Sequence, residues 1–291
     1  MILRAHIYLS IATIIIASSF LVSAELTGVI DSISITLYRF FIALIVLSAI
    51  FVKKEYRQKF PSTFWRGSVV GIFYALYFIG MFKALESTTV LNTSTLYTLI
   101  PFITAILCIF FFKERISKKQ LLVYLVAMLG TTIVVFRADI NLLLSFSLNY
   151  GDAIFLIASV AMSLYSIFLK VLYRKGDKPL VFVFSTLLGG SLAMFLSMQV
   201  LNIPLEWHKI EGELFYYVLY LALASTILTL FLYQKSAALL GSKKLMAYLY
   251  LSPAIVAVMS YFYKDVSISW SVFVGIVISL FATIILLRER V

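Results

Sequence analysis

The sequence predicts an all-α integral membrane protein of ten transmembrane helices, arranged as two inverted five-helix repeats with both termini in the cytoplasm. Three observations carry this prediction: the composition, a succession of apolar runs, and a proline-to-acid segment that occurs twice. Of 291 residues, 63% are hydrophobic and 13% charged, and the mean hydropathy is +1.05. A soluble domain has about a quarter of its residues charged. The composition therefore excludes a soluble protein and predicts a polytopic membrane protein.

Each apolar run is long enough to cross a bilayer as a helix, in which all backbone groups pair internally. The ten runs are Ile7–Ala24, Ile33–Val52, Phe64–Phe82, Ser87–Phe112, Gln120–Phe136, Ala153–Leu169, Leu180–Leu201, Leu214–Gln234, Leu245–Tyr263 and Val266–Leu287. Only the second contains an interior charge, Arg39, and the connections are too short for a soluble domain. The first run also resembles a signal peptide cleaved after Ala24, an alternative that would leave nine helices.

The distribution of positive charge predicts the orientation, since cytoplasmic loops are enriched in Lys and Arg. With the N-terminus inside, 19 of the 24 lysines and arginines fall on the inner side, and only Lys83, Arg137, Lys209 and Lys264 fall outside. Both termini are therefore predicted to be cytoplasmic. The net charge of +11 is explained by topology and gives little reason to predict nucleic-acid binding.

The repeated segment reads PFITAILCIFFFKE from Pro101 to Glu114 and PAIVAVMSYFYKD from Pro253 to Asp265. The chain is accordingly divided into residues 1–140 and 150–291, each a five-helix repeat. Because five is odd, the second repeat enters the membrane inverted. In a protein built from inverted repeats, a single packing arrangement can produce two conformations, one open to each side of the membrane. This is the architecture of alternating access.

Pro101 and Pro253 lie near the middle of the fourth and ninth runs. A proline there removes a helix hydrogen bond and displaces the carbonyl four residues earlier, that of Tyr97 or Leu249. Two interpretations stay open. The prolines either produce packing kinks satisfied by neighbouring helices, or they act as hinges beside a substrate cavity.

The chain resembles the drug/metabolite transporter superfamily, in its EamA-like ten-helix branch. The resemblance rests on the two proline-to-acid segments, on Tyr38-Arg39-Phe40 and on Gly151-Asp152. The second segment departs from the pattern, since Lys264-Asp265 replaces the usual Gly-Glu and the segment is one residue shorter. The resemblance implies a bacterial inner-membrane carrier, often an exporter of amino acids or related metabolites, with the fifth and tenth helices peripheral.

Candidate substrate-binding residues are polar or aromatic side chains inside the predicted spans, because polar groups facing hydrocarbon are costly. They are Arg39, Tyr74, Tyr77, Thr95, Tyr97, Tyr248 and Tyr250. For the hydroxyls the alternative is bonding back to their own helix or anchoring at the interface.

Arg39 is the sharpest candidate, because a guanidinium inside a span must find an anionic or carbonyl partner. It is expected either to pair with Glu25, Asp31 or Glu86 or to bind a carboxylate of the substrate. Arg39 is the one cation inside a predicted span, and a phosphorylated sugar would need more than one cation to bind it. Exchange of phosphorylated sugars is therefore the less favoured function.

No cofactor, metal site or enzymatic activity is predicted. His6 and His208 lie far apart in sequence, and no Gly-rich phosphate loop is present. Every carboxylate lies at the end of an apolar run or in a connection between two runs. Transport of the substrate down its own concentration gradient is therefore the simplest mechanism. Protons are the alternative coupling ion, through Glu25, Glu86 or Asp152. Alternatives are a carrier for nucleosides, S-adenosylmethionine or organic cations, a membrane enzyme, or a signalling protein without transport.

Two small features have structural interpretations. Gly67 and Gly71 have the small-xxx-small spacing of close helix packing, which predicts a tight helix crossing. Cys108 lies in an apolar run and is expected to be a buried side chain that fills space in the core.

Overall fold

The computed structural model describes residues 2–144, 147–264 and 267–288, and within these ranges the protein is all-α, with no β-strand. The α-helices are α1 (Ile2–Glu25), α2 (Ser32–Ser48), α3 (Lys54–Leu85), α4 (Val90–Tyr97), α5 (Ile100–Phe112), α6 (Lys118–Val135), α7 (Ile140–Leu144), α8 (Tyr150–Leu172), α9 (Pro179–Leu201), α10 (Glu213–Ala222), α11 (Thr229–Ala247), α12 (Ser252–Lys264) and α13 (Trp270–Arg288). Short 3₁₀ segments occupy Ala49–Val52, Trp207–Lys209 and Tyr248–Leu251, and a π-helical turn occupies Leu223–Leu228.

Nine helical stretches in the described ranges are long and apolar enough to cross a membrane. The protein is therefore a multi-pass membrane protein. One of the nine, Glu213–Tyr263, has 51 residues, and at a rise of 1.5 Å per residue it would measure about 76 Å if straight, more than twice a hydrocarbon core of about 30 Å. It is not straight, because Gly241 has φ 78° and ψ 168°, a conformation that only glycine adopts without strain.

The third predicted span begins earlier than expected. α3 starts at Lys54, whereas the sequence pattern begins at Phe64, so the basic connection forms the first turns of the helix. Pro61 lies inside these turns, with Glu55 in the first turn. Over 32 residues α3 is about 48 Å long, so its charged start extends beyond the hydrocarbon.

The fourth predicted span is two helices. α4 ends at Tyr97, and α5 begins at Ile100 with Pro101 in its first turn. Between them, the N–H groups of Thr98 and Leu99 bond to carbonyls three residues earlier, at 3.1 and 3.0 Å. The helix breaks here because Pro101 has no N–H with which to continue the ladder.

The second proline has a different local structure. A 3₁₀ turn over Tyr248–Leu251 precedes Pro253, and the N–H of Ser252 bonds to the carbonyl of Leu249. The Leu249 carbonyl, which cannot accept from Pro253, therefore has a partner in this tighter turn. Asp265, the acid of the second segment, lies outside the described residues, as do Met1, residues 145–146, Val266 and residues 289–291.

The tightest helix crossing joins α3 to α9. A Cβ on Gly71 would overlap the carbonyl oxygen of Thr186 and lie 2.7 Å from the N of Gly190, and one on Gly67 would lie 3.0 Å from the carbonyl oxygen of Phe182. The prediction of close packing at Gly67 and Gly71 is confirmed. This crossing joins the first half of the chain (residues 2–144) to the second (147–288).

Ion pairs also link the two halves. Arg66 on α3 bonds to both carboxylate oxygens of Asp177, at 2.6 and 2.9 Å, and Glu114 lies 2.8 Å from Lys243 and 3.9 Å from Lys170. Burial raises the pKa of the Asp177 carboxyl, but the Arg66 hydrogen bond and the backbone N–H of Arg174 outweigh it, and the pKa lies below its ordinary value. Asp177 is therefore ionised at neutral pH and joins the α8–α9 connection to α3.

Asp152 is the most buried carboxylate of the described residues. It is 1% exposed, and it accepts hydrogen bonds from Thr88 Oγ1 (2.6 Å), Asn92 Nδ2 (2.9 Å) and the backbone N–H of Asn149 (2.9 Å). Its own N–H bonds to the Asn149 side chain, completing a capping box at the start of α8. Asp152 thereby joins α8 to α4 and to the α3–α4 connection.

Candidate functional site

Arg39 is buried in α2 without an anionic partner among the described residues. Its side chain is 7% exposed, its Nε has no hydrogen-bond partner, and no described carboxylate lies within 4 Å. The guanidinium instead lies over aromatic rings, 4.8 Å from the centroid of Phe78 and 5.5 Å from that of Phe40.

The carboxylates expected to pair with Arg39 are engaged elsewhere or lie out of range. Asp31 caps α2 by accepting from the N–H groups of Ile33 and Ser34, and Glu86 pairs with Lys83 at 2.8 Å. Glu25 is not within ion-pair distance of Arg39 either. The sequence left a structural tie and a substrate contact open for Arg39; the structure does not form the tie to these three acids.

Tyr74 of α3 lies beside Arg39, and Tyr77 follows it at a three-residue interval on the face of α3 that packs inward. Tyr74 is stacked on Phe40 with centroids 5.7 Å apart, and it is 5.0 Å from the ring of Phe78. The Tyr74 ring and the Arg39 guanidinium therefore share the same two neighbours, the rings of Phe40 and Phe78. Tyr77 continues the same face and contacts Phe78 at 5.3 Å.

Tyr97 reaches the same cluster from the break between α4 and α5. It packs against the main hydrophobic core, which includes Tyr77 and Tyr233, yet keeps accessible surface. Thr95 is also partly accessible, and its carbonyl accepts a 2.7 Å hydrogen bond from the Thr98 hydroxyl. The interrupted helix end therefore adjoins the aromatic cluster.

Two tyrosines of the second half complete the cluster, and the sequence analysis missed both. Tyr165 of α8 is fully buried with its ring 4.9 Å from that of Tyr74, and Tyr233 of α11 is 3% exposed. Neither hydroxyl has a hydrogen-bond partner among the described residues. We call Arg39, Tyr74, Tyr77, Tyr97, Tyr165 and Tyr233 the central site. It receives side chains from both halves of the chain.

Tyr248 and Tyr250 are placed differently from the other candidates. The Tyr248 hydroxyl is 2.9 Å from Nδ1 of His6 on α1 and donates to the His6 carbonyl at 3.3 Å. Tyr250 packs in a separate apolar cluster with Tyr124 of α6 and Ala282 of α13. The Tyr248 hydroxyl is thus bonded to α1, whereas the Tyr250 side chain lies between α6 and α13, away from Arg39.

The side chains of the central site are suited to ligand recognition. Within the described ranges, no three His, Cys, Asp or Glu side chains are grouped so that they could hold a metal ion. The polar groups of the central site are a cation and phenols, which bind and orient a ligand through charge, hydrogen bonds and ring contacts.

The fold and this site define a membrane protein whose polar centre lies among helices of two half-chains. The chain belongs to the EamA-like transporter family, whose model matches residues 3–136 and again 149–288. This places it within the drug/metabolite transporter superfamily predicted from the sequence, and family membership confirms that resemblance.

Two curated relatives are named as transporters, and a solved structure shares the fold. The chain is 23% identical over 266 residues to the "Uncharacterized transporter YyaM" of Bacillus subtilis (strain 168), covering 89% of this chain and 86% of that protein. It is 26% identical over 168 residues to the "Uncharacterized transporter YdfC" of the same organism, covering 58% and 53%. A crystal structure described only as that of a protein shares the fold, with a TM-score of 0.79 and 17% identity over 97% of this chain and 96% of that one.

Proposed function

We propose that this protein is a secondary carrier of the bacterial inner membrane that moves a small metabolite by alternating access, with amino-acid or related metabolite export as the leading function. The observation that carries the proposal is the central site. It joins a buried guanidinium and five tyrosines from both halves, in a family of transporters. A buried, unneutralised charge is costly and marks a substrate pathway more often than a scaffold.

The proposal includes ten crossings with both termini cytoplasmic. The 51-residue stretch Glu213–Tyr263 is long enough for two crossings, and the positive φ of Gly241 supplies a point at which the chain changes direction. With the stretch counted twice, each half contributes five crossings, and the halves, taken as residues 1–140 and 150–291, enter the membrane inverted. The excess of Lys and Arg on one side supports the orientation.

Movement between the two states would centre on the helix break at Pro101 and the 3₁₀ turn before Pro253. Both interrupt a helix in the corresponding part of each half, and discontinuous helices border the substrate sites of carriers built from repeats. The Glu114–Lys243 and Arg66–Asp177 pairs join the halves at one end, so opening that end would require these pairs to separate.

The test is solute counterflow in proteoliposomes. Purified protein is reconstituted, the vesicles are preloaded with one unlabelled compound, and entry of the labelled compound is followed for amino acids, nucleosides, S-adenosylmethionine and organic cations. A carrier gives transient, saturable accumulation of at least one class. Arg39→Gln is expected to abolish it, whereas Lys83→Gln, which removes an exposed cation, retains it. Counterflow that is equal in protein-free vesicles, or chemical turnover of a solute without two compartments, would contradict the proposal.

A further inference from the structure

Arg39 differs from the best-paired cations of the described chain in what surrounds it. Arg66 has a two-point hydrogen bond to Asp177, and Lys243 has Glu114 at 2.8 Å. Around Arg39 the described partners are the ring faces of Phe78 and Phe40. A cation–π contact offsets only part of the cost of taking a guanidinium out of water, so the site retains unused capacity to bind an anion.

The polar groups of the central site, the Arg39 guanidinium and the tyrosine hydroxyls of the same core, are suited to a ligand that accepts hydrogen bonds. A guanidinium can only donate, and the buried hydroxyls of Tyr165 and Tyr233 each have a donor hydrogen without a described acceptor. A carboxylate has two oxygens that match the guanidinium fork and remaining lone pairs for phenol donors. An ammonium group would meet the same positive charge, and no described carboxylate lies within ion-pair distance of Arg39 to recruit it.

The remainder of the site favours an apolar or aromatic body. Rings of Phe40, Tyr74 and Phe78 contact one another at 5.0 to 6.3 Å around the guanidinium, and Tyr77 extends this surface. Flat ligands bind such walls through ring contacts and burial of apolar area. A single cation with no second one paired to it matches one negative charge rather than a phosphate dianion.

From these contacts we infer that the substrate is a monocarboxylate with an apolar or aromatic body, whose carboxylate is bound by Arg39 and by the hydroxyls of Tyr165 and Tyr233. The inference rests on the proposed function for its role in transport, but binding is measurable without it. Within the proposed range of substrates it selects amino acids and other organic acids over nucleosides and organic cations.

The experiment uses three probes that share a phenyl ring and differ only in charged groups: 3-phenylpropionate, L-phenylalanine and 2-phenylethylamine. Thermal stabilisation of the purified full-length protein is measured with each, since a ligand that binds only the folded state raises the melting temperature. Both carboxylates are expected to raise it in a saturable manner, and the amine is not. Stabilisation by the amine equal to that by 3-phenylpropionate would overturn the inference, as would no stabilisation by either carboxylate up to its solubility limit.

Variants assign the binding to Arg39. Arg39→Gln should weaken 3-phenylpropionate binding by about 100-fold or more, because truncating one partner of a buried charge pair is among the largest losses in recognition. Arg39→Lys keeps the charge but loses the fork, so it should retain weaker binding and serves if the Gln variant does not fold. Lys83→Gln is the matched control and should bind as the unchanged protein does. Unaltered affinity in both Arg39 variants would overturn the assignment.

Flux measurements separate this inference from the proposed function. Carboxylate binding that depends on Arg39, without counterflow of any tested solute, would refute the carrier proposal and leave the binding site intact. Counterflow of 2-phenylethylamine that excludes 3-phenylpropionate would leave the carrier proposal standing and refute the substrate class.

Discussion

Replacing Asp152 with Asn should destabilise the protein although the two side chains have nearly the same shape. In the structure one carboxylate oxygen accepts from Thr88, and the other accepts from both Asn92 and the backbone of Asn149. The best orientation of the new amide directs its NH₂ at Thr88 and keeps the oxygen on the other two donors. Even then all three hydrogen bonds lose their charge, and the free energy of unfolding should fall by about 2 kcal/mol.

The measurement is the melting temperature in a fixed detergent at pH 7. For a chain of this size, a loss of 2 kcal/mol corresponds to a decrease of about 4 °C or more. Asp139→Asn is the matched control, since exposed Asp139 caps α7 by accepting from the N–H of Asn141, and Asn caps helices nearly as well as Asp. Its melting temperature should change by about 1 °C or less. Equal melting temperatures for the two variants would refute the argument that Asp152 is a structural tie.

Three further results are expected. Gly71→Ala should lower the melting temperature by several degrees through overpacking of the α3–α9 crossing, whereas Val69→Ile, on the exposed side of the same helix, should not; equal effects would contradict the packing argument. Asp177→Asn should destabilise the protein at pH 7, and its difference from the unchanged protein should shrink as pH falls below the ordinary carboxyl pKa of 3.8, because protonation removes the ionised partner of Arg66; a difference constant down to pH 3 would argue against this ion pair. Pro101→Ala should slow counterflow while leaving 3-phenylpropionate affinity within about twofold, since it restores an N–H at the break without touching Arg39; unchanged flux would argue against a hinge.

The membrane fold could be predicted from the sequence because hydrocarbon imposes a length and composition on each span. The pattern located the apolar runs, the break at Pro101 and the close packing at Gly71. The predicted start of the third span lies ten residues after the observed start of α3. Lys and Arg in these first turns are typical of a connection between spans. Their long side chains are, however, also compatible with a helix that projects from the membrane.

The site could be predicted only in part. Arg39, Tyr74, Tyr77 and Tyr97 could be named as candidates because polar and aromatic groups are conspicuous in apolar runs of the first half. Tyr165 and Tyr233 are equally visible in the sequence, but which helix face turns inward depends on tertiary packing that periodicity does not give. Tyr250 illustrates the converse, since its position beside Tyr248 on a 3₁₀ turn directs the two side chains to different clusters.

The proposed carrier mechanism requires the central site to be reached alternately from the two sides of the membrane. The most direct test places one cysteine at Tyr97 in a Cys108→Ser background and exposes right-side-out and inside-out vesicles to a membrane-impermeant thiol reagent. Leu122→Cys, on the exposed face of α6, serves as the control that a charged reagent should not modify from within lipid. Alternating access predicts modification of Tyr97→Cys in both vesicle orientations, with 3-phenylpropionate slowing both. Modification from one side only, or from neither, would contradict it.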